Sequence, residues 1–224
     1  MDIYPMPRIA RIVVPDYPHH VTQRGARRQR TFFEESDYRS YLNLLSNNKS
    51  RAEADIWAYC LMPNHVHLVV VPHRPDSLSK LLGNTHHRYA RLVNEAHGWQ
   101  GHLWQERFQS FVMDEEHLVA AVRYIELNPV RAGLCHDATE WRWSSIHAHL
   151  QNRSDPIVTA RPMLERVSNW RQYLADETNP KLLENLRKHT NSGRPAGSAE
   201  FVNNLENLTQ QRLRPRKRGP QPKS

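Results

Sequence analysis

One stretch limits the folds open to this chain more than any other: Met62-Pro63-Asn64 runs straight into His65-Val66-His67-Leu68-Val69-Val70-Val71, a turn followed by a β-branched apolar run. A run this short, closed by Pro72, reads as a strand buried in a sheet. Ala54 to Leu61, with Trp57 and Tyr59, is the strand before it, and Pro63-Asn64 joins the two as a hairpin. Side chains of a strand alternate between faces, so His65 and His67 project one way while Val66 and Leu68 pack into the opposite side. Two neutral imidazoles at that spacing can hold a divalent ion and leave most of its coordination sphere open, as a catalytic metal requires. The alternative is two partly buried, hydrogen-bonded histidines in a chain that has 14 of them. A closed structural zinc site is not expected, because the two cysteines, Cys60 and Cys135, lack Cys-x-x-Cys spacing.

With 224 residues, 38% of them hydrophobic, and six tryptophans, the chain can bury the core of one domain and carry an appendage. The apolar run after His67 falls far short of the ~20 residues that cross a bilayer, and Met1 to Tyr17 carries prolines and arginines where a secretory signal needs an apolar stretch. No membrane partner is expected, and a reducing cytoplasm suits a chain with so few cysteines. The net charge of +8 is concentrated at one end: residues 187–224 hold nine Lys or Arg against Glu200 and Glu206, which is +7 and leaves +1 for the rest. A basic arm on a nearly neutral body fits nucleic acid, and the alternative is a merely solubilising tail.

In chain order, an extended leader enters a first strand near His19 to Gln23, followed by Arg24-Gly25-Ala26-Arg27-Arg28-Gln29-Arg30, a loop whose guanidinium groups suit phosphate contacts. Asp37 to Asn48 has the apolar spacing of a helix in Tyr38, Tyr41, Leu42 and Leu45. Ser77 is placed to cap a helix running to about His97, with Leu78, Leu81, Leu82, Tyr89, Leu92 and Val93 on its buried side. His102 to Met113 reads as a strand or hairpin. Asp114-Glu115-Glu116 starts a helix with the stripe Leu118, Ala121, Val122 and Ile125. Tyr124 and Asn128 then lie one turn apart on a flank that His117 and Arg131 approach, and Pro129 and Gly133 end the helical region.

The order strand, helix, hairpin, helix, strand, helix predicts an α+β domain, a ferredoxin- or RRM-like antiparallel sheet with packed helices. Its expected span is residues 1–150, followed by a helical extension over 151–189 with one or two small helices in Pro162 to Lys188. Residues 190–224 form a basic, partly flexible tail with an amphipathic helix (Phe201, Val202, Leu205, Leu208 on one side). The tail ends in Arg214-Pro215-Arg216-Lys217-Arg218, resembling hooks that lie in an A·T-rich minor groove.

Two imidazoles, a tyrosine with a carboxamide one turn on, and a basic arm point together at phosphodiester chemistry. A phenol is a weak nucleophile at its ordinary pKa of ~10, and needs a phosphoryl group polarised by a metal. His65-Val66-His67 resembles the HUH signature, and Tyr124-Ile125-Glu126-Leu127-Asn128-Pro129-Val130-Arg131-Ala132-Gly133-Leu134 resembles the tyrosine helix of single-tyrosine HUH transposases, among them the REP-associated tyrosine transposases. The resemblance covers roughly Pro7 to Leu150, including Leu103-Trp104-Gln105-Glu106-Arg107-Phe108 and Trp143-Ser144-Ser145.

It implies that His65 and His67 bind Mg²⁺ or Mn²⁺ and that Tyr124 forms a 5′-phosphotyrosine link. Asn128 stands where related enzymes place a glutamine as third ligand, which keeps an amide oxygen on an arm one methylene shorter. The implied partner is single-stranded DNA with hairpins, the repetitive extragenic palindromes, met by a monomer or homodimer in the bacterial cytoplasm and nucleoid. Arg24, Arg27, Arg28, Arg194, Arg214, Arg216, Lys217 and Arg218 are the expected DNA contacts. Trp104, Phe108, Trp141 and Trp143 either stack on unpaired bases or fill the core. Two other functions stay open on the same fold: a non-catalytic RRM-like binding protein or repressor, with Tyr124 buried away from the histidines, and a metal-dependent nuclease that uses water.

Overall fold

A computed structural model of the chain describes residues 11–151, 153–177 and 179–214. Four strands, β1 (His19–Arg24), β2 (Ala54–Met62), β3 (His65–Pro72) and β4 (Gln109–Val112), form one sheet in the order β2-β3-β1-β4. Every neighbouring pair is antiparallel. Helix α1 (Glu35–Ala52) connects β1 to β2, and α2 (Asn84–His97) connects β3 to β4, which is the βαββαβ arrangement of a ferredoxin-like fold. The hairpin read from the sequence is present: Met62 faces His65 across the Pro63-Asn64 turn, and Cys60 faces His67.

Local chemistry explains the helices that cover the first face. A capping box starts α1, where Glu34 and Asp37 exchange side-chain and backbone contacts, and Glu53 ends it in the left-handed region at φ 50°. Its buried residues Tyr38, Tyr41, Leu45 and Ala52 meet Val21, Leu61, Val66, Leu68 and Val70 from the sheet and Leu78, Leu81, Leu82 and Tyr89 from the second crossover. Ser77 does not cap that crossover. Its hydroxyl donates to the Glu53 carbonyl and accepts from the Arg74 amide, so the side chain closes a turn, and the helical segment that begins there passes through a wide π turn at Ser79–Gly83. Leu92, expected on the buried side, is 46% exposed.

The opposite face carries α3 (Glu115–Glu126), capped by Asp114, whose side chain accepts the His117 amide. Leu118, Ala121, Val122 and Ile125 pack there on Ala58, Cys60, Met62, Val69 and Phe111. A short α4 (Asn128–Arg131) follows, and α5 (Ile146–Gln151) lies past the Trp141–Ser145 return segment, whose Trp143 carbonyl accepts the Leu61 amide. Where one or two helices were expected, three occur: α6 (Arg161–Arg166), α7 (Trp170–Ala175) and α8 (Pro180–Ser192), which add Met163, Trp170 and Leu186 to the same core. Of His102 to Met113 only β4 is a strand. The residues before it are irregular, tied to the loop after β1 by Ala26 N–H to Leu103 O and Gln105 N–H to Arg24 O.

The chain beyond α8 folds onto the outer edge of β4. Ala196 exchanges backbone bonds with Val112 and Asp114, Ser198 caps α9 (Ala199–Thr209), and Leu205 and Leu213 join Ile12, Val14 and Val112 in a third small core. Gly197 has no alternative there, because a Cβ would sit 2.3 Å from the Phe201 ring and 2.8 Å from the Asp114 carboxylate. Leu208, expected on the apolar side of α9, is 61% exposed. The leader before Arg11 and the basic end from Pro215 onward lie outside the described residues. Among the described residues no helix is long and apolar enough to cross a membrane.

Candidate active site

The site forms because β3 alternates. Val66, Leu68 and Val70 belong to the core under α1 and α2, while His65, His67 and Val69 turn toward α3. On the neighbouring β1, Arg24 lies opposite His65, Thr22 opposite His67 and His20 opposite Val69. Past the apolar end of this face opens a cavity of about 660 Å³ lined by His65, His67, Tyr124 and Asn128 together with Arg24 and Arg28.

The two imidazoles stand at 78° with ring centroids 4.9 Å apart. Asn64 donates through Nδ2 to the Arg28 carbonyl, which leaves its Oδ1, 2.6 Å away, to accept from His65 Nδ1. His65 therefore presents an unprotonated Nε2. Nδ1 of His67 is 3.0 Å from Nε2 of His20, a fully buried ring lying behind it. Burial, then the charge of Arg24, lowers the His65 pKa to about 4. Burial, His65, His20, Arg131 and Arg24 hold His67 well below the ordinary histidine value. Both rings are neutral at neutral pH, the state in which imidazole ligates a metal.

Tyr124 arrives from the last turn of α3, and its ring centroid lies 5.8 Å from that of His67, nearly perpendicular. Helical dihedrals lapse at Leu127, so Asn128 starts α4 rather than continuing α3, yet it lines the same cavity as Tyr124. Pro129, in the first turn of α4, has no N–H to give. Arg131 folds back instead, donating through Nη2 to the Tyr124 carbonyl at 2.6 Å and placing its guanidinium carbon 4.1 Å from the centre of the Tyr124 ring. His117 turns elsewhere and bonds Asp114. Two residues past the tyrosine, the fully buried Glu126 carboxylate takes Ser145 Oγ at 2.7 Å, His149 Nδ1 at 2.6 Å and Trp170 Nε1 at 2.8 Å. That clamp fixes the end of α3 to α5 and α7.

The donor set fits a hard divalent ion. Both histidine Nδ1 atoms have a hydrogen-bond partner, and Nε2 is the free ring nitrogen of His65 and, when His67 Nδ1 is the donor to His20, of His67 as well. Asn128 is buried with its Nδ2 unpartnered among the described residues, and as a lining residue of the cavity it could offer an amide oxygen as a third donor.

The arginine loop is bound to the histidine turn: Gly25 N–H reaches the Asn64 carbonyl, and Thr31 and Phe32 N–H reach that of Pro63. A side chain at Gly25 would meet the Gln29 carbonyl at 2.3 Å. Arg24 and Arg28 thereby reach the cavity, whereas Arg27, held in the left-handed region at φ 53°, does not line it. Arg194 donates to the Leu213 carbonyl, and Arg214 pairs with Glu206 and reaches the Ala199 carbonyl, so both tie the segment around α9 together and neither lines the cavity. Arg216, Lys217 and Arg218 lie outside the described residues.

For the aromatics, packing wins. Trp104 donates to the His86 carbonyl, Phe108 lies under the Arg11 guanidinium, and Trp143 stacks on Tyr38, all three buried; Trp141 is half-buried and donates to the Leu61 carbonyl. Sequence reasoning missed His20, Arg107 and the Arg187, Thr190 and Asn191 side of α8, of which all but His20 line the cavity. Alternation along β1 placed His20 on one face or the other, but only the register with β3 puts it behind His67.

A ferredoxin-like sheet with a His-hydrophobe-His strand beside a tyrosine-bearing helix defines the HUH fold. A family profile described as "Transposase IS200 like" matches residues 14–128, and the chain belongs to that family. It is 26% identical over 101 residues to a candidate REP-associated tyrosine transposase of Haemophilus influenzae, a stretch that covers 40% of this chain and 57% of that relative's length. The solved structure of a REP-associated tyrosine transposase bound to a REP hairpin superposes with a TM-score of 0.56 at 20% identity, covering 68% of this chain and 90% of the other, and shares the fold.

Proposed function

We propose that this transposase nicks and rejoins single-stranded DNA at hairpin-forming repetitive palindromes through a 5′-phosphotyrosine intermediate. The observation that carries the reading is the Tyr124 ring standing 5.8 Å from the His67 ring in the cavity that His65 and Asn128 also line. A binding-only protein has no use for that contact. His65, His67 and Asn128 would hold Mg²⁺ or Mn²⁺, and the bound ion would supply Lewis-acid polarisation of the scissile phosphate. Tyr124 provides the attacking oxygen: its phenolic proton goes to solvent, the Oη–phosphorus bond forms, and the bond to the 3′ oxygen breaks, with that oxygen taking a proton from solvent to leave a free 3′ hydroxyl. Because the phosphodiester energy is retained in the phosphotyrosine, a hydroxyl can attack it in turn and rejoin strands.

Arg24 and Arg28 bind phosphates of the unpaired strand at the cavity mouth, while the basic end after Arg214 and the exposed Arg27 add contacts outside it. The protein acts at the nucleoid in the cytoplasm. The test incubates the full chain with end-labelled hairpin strands and Mn²⁺ or Mg²⁺. A protein–DNA adduct that survives denaturation should form with wild type and disappear, by on the order of 10³-fold or more, in Tyr124→Phe and His65→Ala. Cutting by wild type with free 5′ ends and no adduct would replace the reading with a water-dependent nuclease.

A further inference from the structure

Behind the cavity, and outside every role assigned so far, sits His20. It is fully buried on β1, diagonal to His67 on the same face of the sheet, with the two rings nearly parallel (10°) and their centroids 5.3 Å apart. The edge of Phe111, 5.1 Å away at 89°, closes its other side, and its Nδ1 has no hydrogen-bond partner among the described residues. A strand position with that enclosure favours an apolar side chain. Among the described residues the histidine there has one polar partner, His67 Nδ1 at 3.0 Å.

Two neutral imidazoles joined nitrogen to nitrogen share one proton, so their tautomers are coupled. If Nε2 of His67 offers its lone pair to a metal, its Nδ1 carries the hydrogen and donates to His20 Nε2. His20 must then carry its own hydrogen on the enclosed Nδ1. The orphaned atom thus marks what the pair gives up to hold His67 in a ligating form.

We propose that His20 is a positioning residue that fixes the tautomer and ring plane of His67 for divalent-metal binding. The proposal rests on the metal reading given above. Outer partners of ligating histidines typically change metal affinity ~10–100-fold when removed, and His20→Phe keeps the ring shape while deleting the acceptor.

The experiment measures Mn²⁺ binding to the full-length protein by electron paramagnetic resonance, alongside hairpin binding without metal and thermal melting. His20→Phe should raise the Mn²⁺ Kd by ~10–100-fold with hairpin binding unchanged, and His20→Gln, whose amide oxygen can accept from His67, should recover part of the loss. A folded His20→Phe protein that binds Mn²⁺ within twofold of wild type overturns the proposal and leaves the metal reading intact. A wild type that binds no Mn²⁺, with or without hairpin, overturns both. Should His20→Phe fail to fold, histidine-selective ¹⁵N spectra of wild type with Mg²⁺ decide: His67 protonated at Nδ1 is the expected result, and His67 protonated at Nε2 overturns it.

Discussion

The two faces of the sheet are built from the same strands and behave differently. Under α1 and α2 the surface is continuous and apolar, backed by a nest of rings in which Phe32 stacks on Tyr38 and Tyr38 on Trp143. Under α3 the apolar part, Ala58, Val69 and Phe111, gives way at one end to His20, His65, His67 and Arg24. A period of two lets β3 serve both, since every second residue anchors the fold and every other one faces chemistry. The difference teaches how the site is held from two sides: the core on the opposite face fixes β3 with its histidines, and the core under α3 fixes the helix that carries Tyr124.

The largest break in this comparison is expected from Leu68→Ala set beside His67→Ala. Deleting the fully buried Leu68 side chain should lower stability by about 2–5 kcal/mol in urea titrations, while the folded fraction keeps adduct formation. His67→Ala should show the reverse, a smaller loss of stability and no adduct. Equal losses of stability would mean that the two faces are not divided in this way.

Acid should weaken both faces. Burial lowers the pKa of His19 to about 4 and of His20 and His86 to about 3. The unfolded chain takes up protons on these groups below about pH 6.5 and the folded chain does not, so stability is retained above that pH and lost as pH falls toward 4 and below. Each group contributes a slope of up to about 1.4 kcal/mol per pH unit, and His86→Phe should flatten the fall in the urea midpoint by one proton's worth. A stability profile level between pH 6.5 and 4.5 would contradict the buried neutral state of these rings.

The smallest effect sharpens the polar end alone. Arg28→Ala should weaken hairpin binding and reduce the slope of log K against log[salt] by about one, and removing residues 215–224 should flatten it further without touching the melting temperature. An unchanged slope in both would take the loop and the basic end out of DNA binding.

Much of the first face and the centre of the second were legible in the sequence. Alternation fixed which side of β3 the histidines take, because it depends on neighbours only a few residues away, while Tyr124 and Asn128, expected on one continuous helix, reach the same cavity from two helices that break at Leu127. What escaped depends on distance along the chain. Register alone sets His20 behind His67. Ser77 looks like a cap until Glu53 is brought beside it. Leu92 and Leu208 have the right spacing to be buried, but nothing in the described fold covers them. The chain after Ser192 reads as a charged tail because its docking surface, the free edge of β4, is a row of backbone groups that side-chain patterns do not reveal.

The Glu126 clamp reaches past the limits of the family's shared segment. That segment ends at residue 128, yet the carboxylate two places after Tyr124 is neutralised in hydrogen-bonding terms by donors at 145, 149 and 170. A fragment ending at residue 128 would lose all three donors to the carboxylate that anchors the end of α3, two residues past the proposed nucleophile. The later helices thus fix the helix that carries Tyr124, and under the proposed function a piece that ends before Trp170 should lose adduct formation along with that anchorage.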